Sequence, residues 1–282
     1  MTARTAPTER QKRLGHELRR MRTSADLSAE YAAGLLGVDR GAISAMESGT
    51  RAISAERLRT LAVNCDVTDE EHLAGLAAMA APSRGWWDRY RGQLPQGFLD
   101  IAELEAHSSR MRGAFSVHMP GLLQTSDHAL AVFRMVVPQL PEREIALRLA
   151  FRVERQQVLD GTDTRPFVAI VHEAALRMQF GGPRVLRGQL EHLLDRSAQG
   201  NVTLRVIPFE AGGFPGAGQT VLYAEGPTAQ LDTVQVDNSH GPDFFYADAQ
   251  LAKYRAHFDV LEKLALSPEE SRGFIHNIAD QL

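Results

Sequence analysis

The segment from Leu27 to Gly49 constrains the fold of this chain more than any other stretch. Ser28 stands where a side-chain oxygen can cap a helix over Ala29–Leu36. Gly37 follows at the position where helices commonly end in a left-handed turn. Asp39 can cap a second helix from Arg40 to Ser48, ended by Gly49. Ala33 is small where the two helices must cross. Val38, Ile43 and Met46 are apolar where the second helix must face a core. Two short helices joined this way make a helix-turn-helix, the geometry that lays a second helix in the major groove of DNA.

The flanking residues extend the pattern. Thr8 and Gln11 have the spacing of a capping box, and Leu14, Leu18 and Met21 follow at helical spacing. Ser54 can cap a helix from Ala55 to Cys65 whose inner face carries Leu58, Leu61 and Ala62. No strand-like alternation occurs here, so this part is expected to be all-α. Charge is also concentrated in it. Between Arg10 and Arg22, six basic residues stand against the single acid Glu17. Residues 61–82 hold Asp66, Asp69, Glu70 and Glu71 with no Lys or Arg. The whole chain has 31 Lys+Arg, 35 Asp+Glu and a formal charge of −4, which excludes a protein that coats polyanions by bulk charge. A local basic face at the N-terminal end remains, a charge asymmetry that hints at nucleic acid.

At 282 residues, two domains are expected, at roughly 100–200 residues each. The reading is residues 1–80 for the helical domain, 81–95 for a join and 96–282 for a second domain. The join contains Ala81-Pro82-Ser83-Arg84-Gly85, where Pro and Gly cannot continue a helix, followed by Trp86, Trp87 and Tyr90. The two tryptophans read as an anchor that packs the join onto a domain. Beyond residue 95 helical patterns are expected over 100–112, 126–137, 141–160, 183–198, 248–264 and 267–281. Short Val-rich runs over 167–171, 202–208, 220–224 and 233–236 read as strands. The second domain is therefore expected to be mixed α and β, with βα units in its middle.

The single cysteine, Cys65, can form neither an internal disulfide nor, by itself, a cysteine-based zinc site. Residues 1–14 lack an apolar stretch, and the most apolar run, Leu73 to Ala81, falls far short of the ~20 residues that span a bilayer. A cytoplasmic, nucleoid-associated address is expected, with no membrane contact. Catalytic groups are not recognisable. Gly213 to Thr220 nearly matches a phosphate-binding loop, but Gln219 replaces the lysine and the segment feeds a strand-like run. His118, His128, His172, His192, His240 and His257 show no metal-type spacing. His172-Glu173 reads as a capped helix start. No enzyme, cofactor or metal is expected. The 211–220 loop, Phe244-Phe245-Tyr246 and Trp86-Trp87 together are expected to border a pocket if a small-molecule effector binds.

Several strings carry a family resemblance. Leu18-Arg19-Arg20-Met21-Arg22, Leu36-Gly37-Val38, Ile43-Ser44 and Glu47-Ser48-Gly49-Thr50-Arg51 resemble the lambda-repressor-like helix-turn-helix of xenobiotic-response-element regulators. Trp86-Trp87, Pro120-Gly121-Leu122-Leu123-Gln124-Thr125, Arg152, Arg155-Gln156 and Asn201 to Phe209 resemble the WhiJ-like, antitoxin-like C-terminal domain of an actinomycete regulator family. The fold implied is an all-α helix-turn-helix domain followed by a larger mixed α/β (α+β) domain. The resemblance implies a homodimer on double-stranded DNA, with a small companion protein encoded nearby. Base-edge positions in that family fall on Arg40, Gly41, Ala42, Ser44 and Ala45. Ser28 and Ala29 open the preceding helix near the phosphates, and Arg51 follows the second helix. The family usually carries Gln at Ala29 and longer polar groups at Gly41, Ala42 and Ala45. Arg40 and Ser44 are therefore the expected readers of bases, with Arg51, Arg40 and the Arg10–Arg22 face as the phosphate candidates. A transcription regulator is the function expected, with the second domain dimerising, sensing or docking a partner. The alternative is an antitoxin-like protein-interaction module with weakened DNA readout.

Overall fold

Side-chain caps set the boundaries of the N-terminal helices in the computed structural model, which describes residues 6–160 and 164–282. Residues 1–5 of the helical-domain reading lie outside the described residues. Helix α1 (Glu9–Ser24) begins with Thr8 and Gln11 closing a reciprocal capping box. Ser28 caps α2 (Ala29–Leu36), Asp39 caps α3 (Arg40–Glu47) and Ser54 caps α4 (Ala55–Asn64). Asp69 caps a fifth helix, α5 (Glu70–Ala80), beyond the four helices expected in the 1–80 region. Leu73 and Leu76 of α5 close the core formed by Leu14, Leu18, Ile43, Met46 and Leu58.

A single turn of 3₁₀-helix at Trp86–Tyr90 leads into α6 (Gln96–His107). Then follow β1 (Arg110–Phe115), α7 (Ser126–Arg134), α8 (Glu142–Arg155), β2 (Phe167–His172), α9 (Glu173–Arg177), α10 (Pro183–Ser197) and β3 (Val202–Ile207). The chain ends with β4 (Val221–Glu225), β5 (Thr233–Asn238), β6 (Gly241–Phe245), α11 (Asp248–Leu264) and α12 (Pro268–Asp280). The sheet has six strands in the order β3-β2-β1-β4-β5-β6. Strands β1, β2 and β3 are parallel, whereas β4, β5 and β6 join antiparallel. Parallel neighbours need a long crossover, and helices supply it between β1 and β3; short loops serve the antiparallel half.

Alternation along the strands sorts the two faces. Phe167, Ala169 and Val171 pack with Leu186, Leu190, Ile275 and Ile278 of α10 and α12. Ile170, Val221, Tyr223 and Val234 pack with Leu251, Phe258 and Leu261 of α11. The fold is thus an all-α helix-turn-helix region followed by an α+β region.

Two expectations are corrected. Residues 110–112, read as the end of a helix, are strand: α6 stops at His107, and β1 pairs with β2 on one side and β4 on the other. Residues 241–245, outside every expected strand, form β6. Pro242 is tolerated there because β6 is an edge strand.

The helical region docks on the end of the sheet region through α1 and α5. The Glu9 amide donates to Asp100 Oδ1 at 3.2 Å. The His16 ring lies 4.7 Å from that of Tyr246, and Leu231 belongs to the helical core. Gly75 faces Leu231 and Pro227, leaving no room for a side chain. Arg13 donates to the Gln230 carbonyl and to Glu17 while its guanidinium lies 5.2 Å from the Tyr246 ring.

Candidate nucleic-acid interface

Helix α3 is held by its two ends and its inner face. At its start the Ala42 amide donates to Asp39 Oδ1 at 2.7 Å. The turn before it needs Gly37, which sits at φ 61° in the left-handed region that favours glycine. At the other end, Glu47 accepts from Arg22 Nε at 2.5 Å and from Nη2 at 3.1 Å. A side chain at Gly15 would lie 2.5 Å from the Glu47 carbonyl oxygen, so α1 and α3 cross backbone to backbone. Ile43 and Met46 are buried beneath α3. What faces outward is therefore decided by period and packing together.

The candidate residues divide on this frame. Arg40, Gly41 and Ser44 are exposed, and Ala45 is half-buried. Ala42 is only 3% exposed, which corrects its placement among residues facing base edges: its methyl points into the core and can touch no base. Gly41 has a structural tie as well, since a Cβ there would meet Asp39 Oδ1 at 3.0 Å. Ser28 is exposed and engaged as a cap, accepting from the Tyr31 amide at 3.0 Å. Ala29 is half-buried and packs against the helical core. Arg51 is exposed. Ser44 Oγ donates to the Arg40 carbonyl at 3.4 Å, a long bond that a better acceptor can replace.

The basic face expected on α1 is mostly spent inside the protein. Lys12 pairs with Glu9, Arg13 and Arg20 pair with Glu17, and Arg22 pairs with Glu47. Arg10 donates to the Ala78 carbonyl at 2.8 Å and approaches Glu103 at 4.0 Å. Of these six cations only Arg19 is exposed without a side-chain partner among the described residues, a condition it shares with Arg40 and Arg51. One residue escaped the sequence reading: Tyr31, on the first turn of α2, leaves 55% of its surface exposed. Its place three residues after the Ser28 cap is the signal that could have marked it.

The other sequence candidates lie apart. Trp86 packs 5.0 Å from Phe151, Phe214 lies 5.1 Å from His172, and Tyr246 packs on α1. These three aromatic sites therefore do not border one pocket. His172 caps α9, its Nδ1 accepting from the Ala174 amide at 3.2 Å. The glycine-rich 212–220 loop runs into β4, not into a helix. Cys65 follows α4 half-buried, and burial pushes its thiol up. Among the described residues no group of three or more His, Cys, Asp and Glu is placed to hold a metal ion. No described helix is long and apolar enough to cross a membrane.

The N-terminal helices thus define a helix-turn-helix protein, and residues 13–74 match the family described as helix-turn-helix domain. Residues 98–277 match the family described as domain of unknown function DUF5753. That match covers well over half of the chain, which belongs to this family. No curated protein and no solved structure matches the chain.

Proposed function

We propose that this protein is a sequence-specific DNA-binding transcription regulator of the xenobiotic-response-element type. One observation carries the reading: α3 presents Arg40, Gly41 and Ser44 outward while Ile43 and Met46 are buried and both helix ends are fixed. Residues 1–80 are assigned to DNA, 81–95 to the join and 96–282 to dimerisation, sensing or docking of a companion protein. A two-fold dimer would place its recognition helices about 34 Å apart on neighbouring major grooves. Arg40 is the base reader and Ser44 assists it. Arg19 and Arg51 are the phosphate contacts, and the work of such a regulator places it at the nucleoid.

Binding to the protein's own promoter, against a scrambled duplex and titrated with salt, tests this reading. The promoter is expected to win by about 10³ or more. Two phosphate-contacting arginines in each protomer of a dimer give a log–log salt slope of about −4. Equal, weak binding to both duplexes would overturn the reading. It would favour the antitoxin-like interaction module, for which the small outward groups at Gly41 and Ala45 speak. Replacing Arg40 by alanine separates base from phosphate work. Promoter affinity should fall by about 1–3 kcal/mol, with scrambled DNA little affected. An equal loss on both duplexes would demote Arg40 to a phosphate contact.

A further inference from the structure

A cavity of about 330 Å³ lies between α6, α8 and the sheet, separate from the helix-turn-helix. Its apolar wall includes Phe98, Ile101, Phe115, Met119, Leu122 and Leu222. Two cations one helical turn apart on α8, Arg152 and Arg155, face the same space. Arg155 has a carboxylate: its Nε lies 2.8 Å from Glu105 Oε2, and Glu105 is 1% exposed. Arg152 has none at hydrogen-bond distance. Its Nη1 donates to the neutral Gln124 Oε1 at 2.6 Å, and its guanidinium lies 5.0 Å from the Phe133 ring. Gln124 is itself buried and fixed, donating to the Met119 carbonyl and accepting at its own carbonyl from Gln156.

Two enclosed guanidiniums repel each other, and a charge held away from water is costly unless paired. Burial and the charge of Arg155 push the Arg152 guanidinium down to about 9, which leaves it charged at neutral pH. Asp237 also lines the cavity, but it is exposed and accepts from Gln235 Nε2 at 2.7 Å. The loop at Gly121 runs close under the pair: a Cβ there would meet Arg155 Nη2 at 3.0 Å and Arg152 Nη1 at 3.5 Å. The arrangement is an apolar slot with two planar, charged donors at one side, of which only Arg155 has a carboxylate partner. Such donors match the two oxygens of a carboxylate or phosphate.

We propose that this cavity binds a small organic anion, an apolar body carrying one carboxylate or phosphate group that docks on Arg152 and Arg155. Helix α6 separates the site from the helical region. Phe98, Ile101 and Glu105 line the cavity, whereas Asp100 and Glu103 face α1. The site stands whether or not the chain binds DNA.

Glu105 competes with the anion for Arg155. Burial pushes its carboxyl up to about 7, so it gains a proton between pH 8 and 6 and leaves Arg155 to the ligand. The groups facing it are Arg152 and Arg155 from α8, Asp237 on β5 and His118 after β1. Burial holds His118 below the usual histidine value, and its protonation at lower pH acts in the same direction. Anion affinity therefore rises as pH falls.

The test is calorimetric titration of the full chain with benzoate and with phenyl phosphate, using benzamide as the neutral control. At least one anion is expected to saturate one site per chain, with benzamide about tenfold weaker or worse. Arg152→Gln should weaken anion binding by about tenfold or more while circular dichroism stays native. Glu105→Gln should bind more tightly than wild type near pH 8 and lose the change in affinity between pH 8 and 6, keeping only the part that His118 adds at lower pH. This second variant keeps the proposal testable if Arg152→Gln does not fold. Absence of saturation by either anion in the millimolar range would overturn it. So would equal binding of benzamide, or binding that neither variant changes.

Discussion

Replacing Glu17 by alanine should cost the folded chain about 3–5 kcal/mol, because it leaves a buried cation without its anion. Glu17 is 1% exposed and Arg13 is 4% exposed, so neither has access to bulk water. Arg20 bonds the second carboxylate oxygen through Nε at 2.9 Å and Nη2 at 2.6 Å, and His72 Nε2 lies 3.8 Å from it. Without Glu17, Arg13 keeps only the Gln230 carbonyl and the Tyr246 ring. Urea denaturation measures the loss. A change below about 1 kcal/mol would show that carbonyl and ring suffice for the charge.

The same site should show in the pH profile. Burial alone would raise the Glu17 carboxyl; the Arg13 and Arg20 guanidiniums outweigh it and hold the group below its usual value. A depressed carboxylate stabilises fully above its unfolded pKa of about 4.3 and loses that contribution as pH falls through the lower folded value. Wild type should therefore lose stability in acid in a step that the Glu17→Ala variant lacks. His72, held below the usual histidine value by burial, adds a loss that begins below about pH 6.5 in both proteins.

Replacing Phe151 by alanine should cost about 3–5 kcal/mol as well, through a cavity at the centre of an aromatic cluster. Phe151 is 1% exposed on α8, with ring centroids of Trp86 and Tyr90 at 5.0 Å and Phe98 at 6.0 Å. The chain has only two tryptophans, Trp86 and Trp87, and both lie in this join. Their emission should shift to the red in the variant under native conditions. Native-like emission with the full stability loss would mean that Trp87, buried against His107, holds the join alone.

What could be read from residues was what residues decide among near neighbours. Thr8, Ser28, Asp39, Ser54 and Ser267 cap helices through bonds to amides three positions on, and every one of those bonds spans a single turn. The four strands that were read, β2, β3, β4 and β5, carry short Val-rich runs that are mostly buried, so their pattern is strong without their partners. Strands β1 and β6 were missed for a different reason. Arg110–Phe115 becomes strand because β2 and β4 supply amide and carbonyl partners from far along the chain. Gly241–Phe245 becomes strand because β5 borders it on one side only, which lets Pro242 stay. Helix α5 was obscured by an alanine-rich run whose core partner, Leu231, lies more than a hundred residues away.

By itself, then, the sequence determined two capped helices around Gly37, an outward Arg40 and Ser44, and a helical region ahead of a mixed one. Those outcomes rest on short-range hydrogen bonds and on the 3.6-residue period, which need no knowledge of the rest of the chain. Tertiary structure alone decided which charges stay free. Helical spacing already puts Glu17 within a turn of Arg13 and Arg20; the tertiary fold buried that pair, joined Arg22 to Glu47, drew Ala42 inward, and left Arg19, Arg40 and Arg51 in water. It also brought Glu105, Gln124 and Arg152 from three separate segments to one cavity. A charge's availability depends on which groups surround it in space, and long-range packing sets those neighbours.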